Sequence, residues 1–234
     1  MVIMLNSYYE FAWDINYCYP NSFVLRNKLN IKNKEELEKA ERQITSIKIL
    51  DLKMNPLKGN LDFDHLLSIH KYIFIDIYPW AGMTRTVNIS KGNPFCDFKY
   101  INDVASELFA QLHREHYLIG LNQKQVIERL AYYLGELNAI HPFREGNGRT
   151  QRLFIEYLGL VAGYHVNFTK ISSQEMIDAS VDSFLKKYDK MNKLFEKAVT
   201  PISIEKQEEF INLLATKSSE YKKIFYIWKE QINQ

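Results

Sequence analysis

The chain has 234 residues and a mass of 27.7 kDa, enough for one large domain or for a domain with a small appendage. Apolar residues make up 46% and charged residues 25%, which excludes a chain too polar to offset its ordering entropy by burial. Lys and Arg number 30 against 28 Asp and Glu, a net charge of +2, so no global field draws the chain to nucleic acid or to an anionic membrane.

Two cysteines, Cys18 and Cys96, are too few for a disulfide framework and fit a reducing compartment. The apolar start Met1 to Leu5 is followed at once by Asn6 and Ser7, and Glu10 and Asp14 precede the first basic residue, Arg26. That order lacks the early positive charge and sustained apolar core of a secretory signal. No window approaches a membrane span of roughly 18 apolar residues. A soluble cytoplasmic protein is expected, with export by a signal-less route left open. No repeat at solenoid or propeller periods is present.

Residues 6–30 are aromatic and aperiodic: Tyr8, Tyr9, Phe11, Trp13, Tyr17 and Tyr19, then Pro20-Asn21-Ser22. They read as an irregular arm held to the body by its rings. Asn33 caps a predicted helix from Lys34 to about Leu52, with Leu37, Ile44, Ile47 and Leu50 among its charges. Pro56 and Gly59-Asn60 end that segment, and a second helix is predicted from Asp62 to Ile75. Thr84, Thr86, Val87 and Ile89 suit a strand, Lys91-Gly92-Asn93-Pro94 is turn chemistry, and Phe95, Phe98 and Tyr100 form the return. This predicts a β-hairpin, with Trp80 packed beneath it. Helices follow near 102–116, 123–140 and 149–162, the last stopped by Gly163. Ser172 with Glu175 forms a capping box that opens a helix near 173–185. Pro201 is the candidate boundary, and two helical stretches occupy Ser203 to Gln234. Their five Lys and five Glu rule out a basic nucleic-acid tail.

The chemistry concentrates in His141-Pro142-Phe143-Arg144-Glu145-Gly146-Asn147-Gly148-Arg149-Thr150-Gln151-Arg152. Ile127, Leu130, Leu134 and Leu137 step along one face of the preceding helix, and His141 is the next position on that stripe. Pro142 bars regular helix beyond it. A histidine therefore stands at a helix end beside the core. Glu145-Gly146-Asn147-Gly148 is a tight loop whose backbone N–H groups can converge on an anion. The helix that follows adds unpaired donors and a positive dipole end. Arg149 and Arg152, three apart on its first turn, can clamp phosphates. They oppose the dipole there, which argues mildly for an anionic partner. Glu145 offers the single carboxylate that Mg²⁺ takes beside phosphate oxygens. Taken singly, each feature is ordinary: a histidine at a helix end, a turn, two solvated arginines. Together within twelve residues they suit nucleotide phosphate chemistry.

The stretch resembles, position by position, the HxFx(D/E)GNGRxxR signature of Fic domains. Ile77-Tyr78-Pro79-Trp80-Ala81-Gly82, then Arg85 and Ile89 to Phe95, resembles the Fic flap and its lead-in. Tyr19-Pro20 to Leu29, with Glu36–Ala40, resembles the N-terminal part of bacterial Fic toxins of the cell-filamentation type. The likeness spans about residues 17–200. It implies a mainly α protein: a Fic-fold helical core, a β-hairpin flap and a helical C-terminal extension. Residues 1–200 would form the Fic domain with its aromatic arm, and residues 201–234 the extension, a candidate inhibitory segment.

The resemblance further implies a protein adenylyltransferase that moves AMP from ATP to a Tyr, Thr or Ser hydroxyl and releases pyrophosphate. His141 would be the general base, as suits an imidazole titrating near neutrality, and Glu145 the Mg²⁺ ligand. Gly146, Asn147 and Gly148 would form the phosphate nest, with the Asn147 amide orienting the α-phosphate, and Arg149 and Arg152 would bind the outer phosphates. Phe143 would be a buried anchor and Ile140 a core residue. Gly148 separates this chain from a phosphorylating relative that has Lys there. Transfer of UMP or phosphocholine, and a non-catalytic interaction module, are the alternatives.

The flap is expected to pair with an extended target segment as an added strand, with Ile89 clamping the target side chain. DNA gyrase and topoisomerase IV are the implied targets of a toxin of this kind. Many Fic proteins are restrained by a glutamate in an (S/T)xxxE(G/N) helix that salt-bridges the second motif arginine. Thr216-Lys217-Ser218-Ser219-Glu220 fits the first five positions, while Tyr221 departs from Gly or Asn. Thr216 and Glu220 are thus candidate inhibitory residues, and a separate small antitoxin is the other form of control. His113 and His116 have no third ligand at a metal-binding spacing, His65 and His70 do not share a helix face, and Cys96 reads as a small apolar residue.

Overall fold

The computed structural model describes residues 14–232; the expected ring contacts of Tyr8, Tyr9, Phe11 and Trp13 lie outside them. The described part of the arm is irregular and pressed onto the body. Tyr17, Cys18, Val24 and Leu25 are buried, and Cys18 bridges Leu25 antiparallel. Tyr17 meets Trp80 edge-on at 5.5 Å.

Helix α1 (Lys34–Met54) starts where the Asn33 side chain accepts the Glu36 N–H, and α2 (Phe63–Phe74) where Asp62 accepts that of His65. The buried stripe of α1 is Leu37, Glu41, Thr45 and Leu52, not the expected line through Ile47 and Leu50, which stand 70% and 58% exposed. Steps of four keep 37, 41 and 45 near one meridian of the helix, and 47 and 50 rotate away from it. A carboxylate and a hydroxyl therefore occupy the inner face.

The flap is shorter than predicted. Strand β1 (Ser90–Lys91) pairs with β2 (Asn93–Pro94) around Gly92, and Phe95 N–H donates to Ile89 O at 3.2 Å. Residues 84–89 form no strand because their backbone is engaged elsewhere. Arg85 N–H donates to Pro142 O at 2.8 Å, and Thr86 N–H to the Tyr17 hydroxyl at 3.1 Å. On the return side Asp97 caps a single 3-10 turn, Phe98–Tyr100. Trp80 lies on Tyr78, ring centroids 4.4 Å apart, and beside His70; it belongs to an aromatic stack of α2 and not to the underside of the hairpin.

Helices α3 (Ile101–Arg114), α4 (Gln123–Ile140) and α5 (Asn147–Val161) follow. The last two are the central pair. Helices α6 (Ser173–Phe184), with its Ser172–Glu175 capping box, and α7 (Asp189–Ala198) lie on α4 with α3; α2 and α8 (Ile204–Leu214) lie on α5. The Gln151 side chain, 1% exposed, donates to Leu137 O at 2.9 Å and ties the central pair together. A second small sheet, absent from the sequence reading, pairs β3 (Tyr164–Val166) with β4 (Val199–Pro201). Pro201, the expected boundary, faces Tyr164 at the end of that ladder, where a missing N–H is tolerated. The chain then continues on the body through α8 and α9 (Glu220–Ile232). Among the described residues no helix is long and apolar enough to cross a membrane.

Candidate active site

Helix α4 ends at His141, whose backbone is left-handed (φ 48°, ψ 61°). Glycine is the usual residue there, and an L-residue accepts roughly 1–2 kcal/mol of strain in that conformation. The turn aims the imidazole back beneath the flap. His141 is 5% exposed and Phe95 covers it, ring centroids 3.8 Å apart at 15°. Its Nδ1–H donates to Asn138 O at 3.1 Å, so Nε2 carries the lone pair that a base needs. Burial lowers its pKa to about 3, helped by the positive charge of Arg85.

The motif loop is braced at three points. Phe143, fully buried, stacks on His70 at 3.8 Å and 9°; burial of such a ring is worth about 1.5–3 kcal/mol. The Gly82 N–H donates to His70 Nδ1, and His70 Nε2 then donates to Glu145 O at 3.0 Å. Burial holds this histidine neutral, its pKa lowered to about 3. The Asn147 side chain accepts the Phe143 N–H at 2.9 Å and donates to Phe143 O at 2.7 Å. Its amide group thus closes the loop on itself and fixes the backbone of the nest. Gly146, at φ 85°, opens α5 with no side-chain cap; a Cβ there would stand 2.2 Å from the Phe74 ring. The first N–H groups of α5 are therefore presented as donors.

Glu145 lies at the mouth of this nest with its side chain 26% exposed. Its Oε1 accepts the Gly146 N–H at 2.8 Å and a longer bond from Arg149 Nη2 at 3.4 Å. Burial raises its pKa, as does the negative charge of Glu41, and Arg149 opposes both. One carboxylate beside a phosphate nest fits Mg²⁺ delivered with a nucleotide, since that ion takes one or two carboxylates and fills its shell with phosphate oxygens and water.

The two motif arginines differ. Arg149 reaches Glu41 at 2.5 Å and Thr45 at 3.1 Å, both on α1, and its guanidinium lies 4.8 Å over Phe74. Arg152 makes no hydrogen bond or ion pair among the described residues; burial and the nearby charge of Arg149 lower its pKa. A Cβ at Gly148 would press on Arg152 Nη1 at 3.1 Å.

Glu220 is not brought to Arg152. It pairs with His113 on α3, and Thr216 bonds to Asn60 at 2.7 Å. The cause is Tyr221, where the sequence departs from the inhibitory pattern. Its ring is fully buried against Tyr117 and its hydroxyl donates to Gly59 O at 2.8 Å, turning Glu220 towards α3. Ile89 is 5% exposed under the flap, and Ile140 is in the core at 3%.

Three residues of the site went unrecognised in the sequence. Glu41 stands on the buried stripe of α1, a phase that hydropathy, led by Ile47 and Leu50, did not reveal. His70 lies among the apolar positions of α2. Arg85, read only as part of the flap lead-in, is 2% exposed. It donates to His141 O (2.8 Å), Val87 O (2.7 Å), Ile140 O (3.2 Å) and Cys96 O.

Known proteins share this arrangement. A family model described as Fic/DOC matches residues 60–159. "Protein adenylyltransferase VbhT" of Bartonella schoenbuchensis is 40% identical over 192 residues, 82% of this chain; the chain spans 40% of that protein's length. "Probable protein adenylyltransferase Fic" of Escherichia coli is 36% identical over 185 residues, 79% of this chain and 92% of that protein. A Fic domain of a cell filamentation protein of Bartonella quintana, solved with bound ADP, superposes with a TM-score of 0.76 at 32% identity, covering 80% of this chain and 96% of that one. BepC of Bartonella tribocorum, solved with AMPPNP, gives 0.76 at 28%, covering 80% and 98%. A helical nucleotide-site fold with a hairpin flap is thus the class to which the geometry points. The chain belongs to the Fic/DOC family.

Proposed function

We propose that this chain is a protein adenylyltransferase, moving AMP from ATP to a hydroxyl side chain of another protein. The observation that carries the reading is the His141 tautomer: its Nδ1–H is held by Asn138 O beside an uncapped, glycine-opened helix start and two arginines. The nest N–H groups and Arg152 hold the phosphates so that the α-phosphorus faces Nε2. Target hydroxyl oxygen attacks that phosphorus while Nε2 takes its proton. The bond from the α-phosphorus to the bridging oxygen breaks, and pyrophosphate leaves with the electron pair. Arg149 and Arg152 counter the charge on the leaving group. Mg²⁺, held by Glu145 when bound, would supply further charge neutralisation between phosphates. A buried, neutral imidazole is in the correct form for this step, and nearby phosphate charge raises its affinity for the proton as it arrives.

The target segment adds to the flap hairpin Ser90–Pro94 by backbone pairing, which sets register with little demand on sequence. With Glu220 engaged by His113, control by a separate antitoxin that supplies a carboxylate to Arg152 is the favoured regulation. A bacterial cytoplasmic toxin acting on gyrase or topoisomerase IV is the corresponding setting.

The test is transfer of label from ATP carrying it on the α-phosphate, with Mg²⁺, into a bacterial lysate, with wild type run beside His141→Ala. Protein bands present for wild type and absent for the variant are expected, with no transfer from the γ-position. Equal labelling by both proteins, or label moving from the γ-phosphate alone, would overturn the assignment.

A further inference from the structure

We propose that Glu41 is a positioning residue that draws the Arg149 guanidinium to itself and limits its pair with Glu145 to a long contact, so that the Glu145 carboxylate stays available to a nucleotide-bound divalent cation. The inference rests on the nucleotide-transfer reading above and deepens it. Glu41 lies on α1, outside the residues 60–159 matched by the family model, yet it is the charged partner of a motif arginine.

The geometry is that of a contest between two carboxylates for one guanidinium. Arg149 Nη2 is 2.5 Å from Glu41 Oε1 and 3.4 Å from Glu145 Oε1. Arg149 and Glu145 are four residues apart, the spacing at which opposite charges meet across a helical turn. Glu41 wins because α1 braces it. The Tyr78 hydroxyl donates to its other oxygen, and Thr45, one turn on, accepts Arg149 Nη1 at 3.1 Å while donating to Glu41 O at 2.8 Å. The Phe74 ring lies under the guanidinium. The Glu41 side chain is 11% exposed, so little water competes for it.

Remove Glu41, and Arg149 has one carboxylate left within reach. Its long contact with Glu145 would shorten to a full charge-assisted pair. That pair neutralises the group needed for the cation and withdraws a positive charge from the phosphates. Simple electrostatics gives the opposite sign: deleting a negative charge near the nest should strengthen binding of a polyanion. The two accounts therefore separate in one experiment, and they separate most clearly in the dependence on Mg²⁺.

The measurement is the dissociation constant of AMPPNP for the full chain, by calorimetry, with Mg²⁺ and with EDTA, for wild type, Glu41→Gln and Glu41→Ala. Positioning predicts that Glu41→Ala weakens binding about tenfold in Mg²⁺, the size typical of outer-shell partners of a metal ligand, with much less change in EDTA. Glu41→Gln keeps the volume and the Tyr78 contact and serves if the alanine variant does not fold; its loss of binding should be smaller and of the same pattern, measured below its melting temperature. In an Arg149→Met background, Glu41→Ala should weaken Mg²⁺-dependent binding by no more than about twofold, because the coupling acts through Arg149. Binding equal to or tighter than wild type, equal weakening with and without Mg²⁺, or a full effect in the Arg149→Met background would each overturn the proposal. Failure of the wild type to bind AMPPNP at all would instead overturn the transfer reading, and this inference with it.

Discussion

Arg85 is the joint between flap and base, and Arg85→Lys tests it. Four of the five guanidinium N–H donors go to carbonyls on two segments: Ile140 and His141 at the end of α4, and Val87 and Cys96 on the two sides of the flap. The positive charge also complements the carbonyl end of α4. A lysine keeps the charge but presents its donors from a single point, so it can serve one segment and not both. Losing two such bonds, at about 1.5–3 kcal/mol for each bond to a charged group, removes about 3–6 kcal/mol. For a chain of this size, a melting temperature lower by roughly 6–24 °C is expected. The loss should be felt locally first. In hydrogen exchange, the amides of Phe95, bonded to Ile89 O, and of Cys96, bonded to Ala139 O, should lose protection ahead of those in α4. Transfer to a protein target should fall more than nucleotide affinity, since the nest itself is untouched. A lysine variant that melts within about 2 °C of wild type, with unchanged exchange at Phe95 and Cys96, would refute the reasoning.

Acid stability follows from His70 and His141, each held by burial at a pKa of about 3. The folded value lies below the unfolded one of about 6.5, so the unfolded state binds more protons and stability is present above that pH and eroded as pH falls towards the folded value. Between about pH 7.5 and 5 each histidine should cost about 2 kcal/mol, and urea midpoints should show His70→Gln losing stability with acid more gently than wild type by that amount; parallel curves would contradict it. Glu220→Ala removes only a half-exposed contact to His113 and should shift the melting temperature by less than about 2 °C, with no gain in transfer activity. A several-fold rise in protein labelling would restore Glu220 as an inhibitory residue.

What the sequence disclosed and what it hid divide by the range of the interactions involved. The ends of α4, the capping boxes and the motif loop depend on neighbours three or four residues away, so the helix end at His141, the glycine loop and the helix start after it were legible in the sequence. The strand expected over 84–89 failed because Arg85 and Thr86 bond to Pro142 and Tyr17, partners that propensity does not include. Ile47 and Leu50 were assigned to the inner face of α1 on hydropathy, yet the phase of the helix puts Glu41 and Thr45 there. The five-position match at Thr216 to Glu220 was real as a pattern, and Tyr221 was the warning within it: a large ring at that place seeks burial and directs the helix that carries it.

The left-handed backbone of His141 couples strain to packing at a single residue. A glycine at the end of α4 would relieve about 1–2 kcal/mol of strain, and it would also remove a ring that is 5% exposed and covered by Phe95. Emptying a buried aromatic site costs about 3–5 kcal/mol, more than the strain returns. Libraries ranked by thermal resistance should therefore retain a ring at position 141, so that the residue proposed to accept the proton is held in place by packing as well as by chemistry.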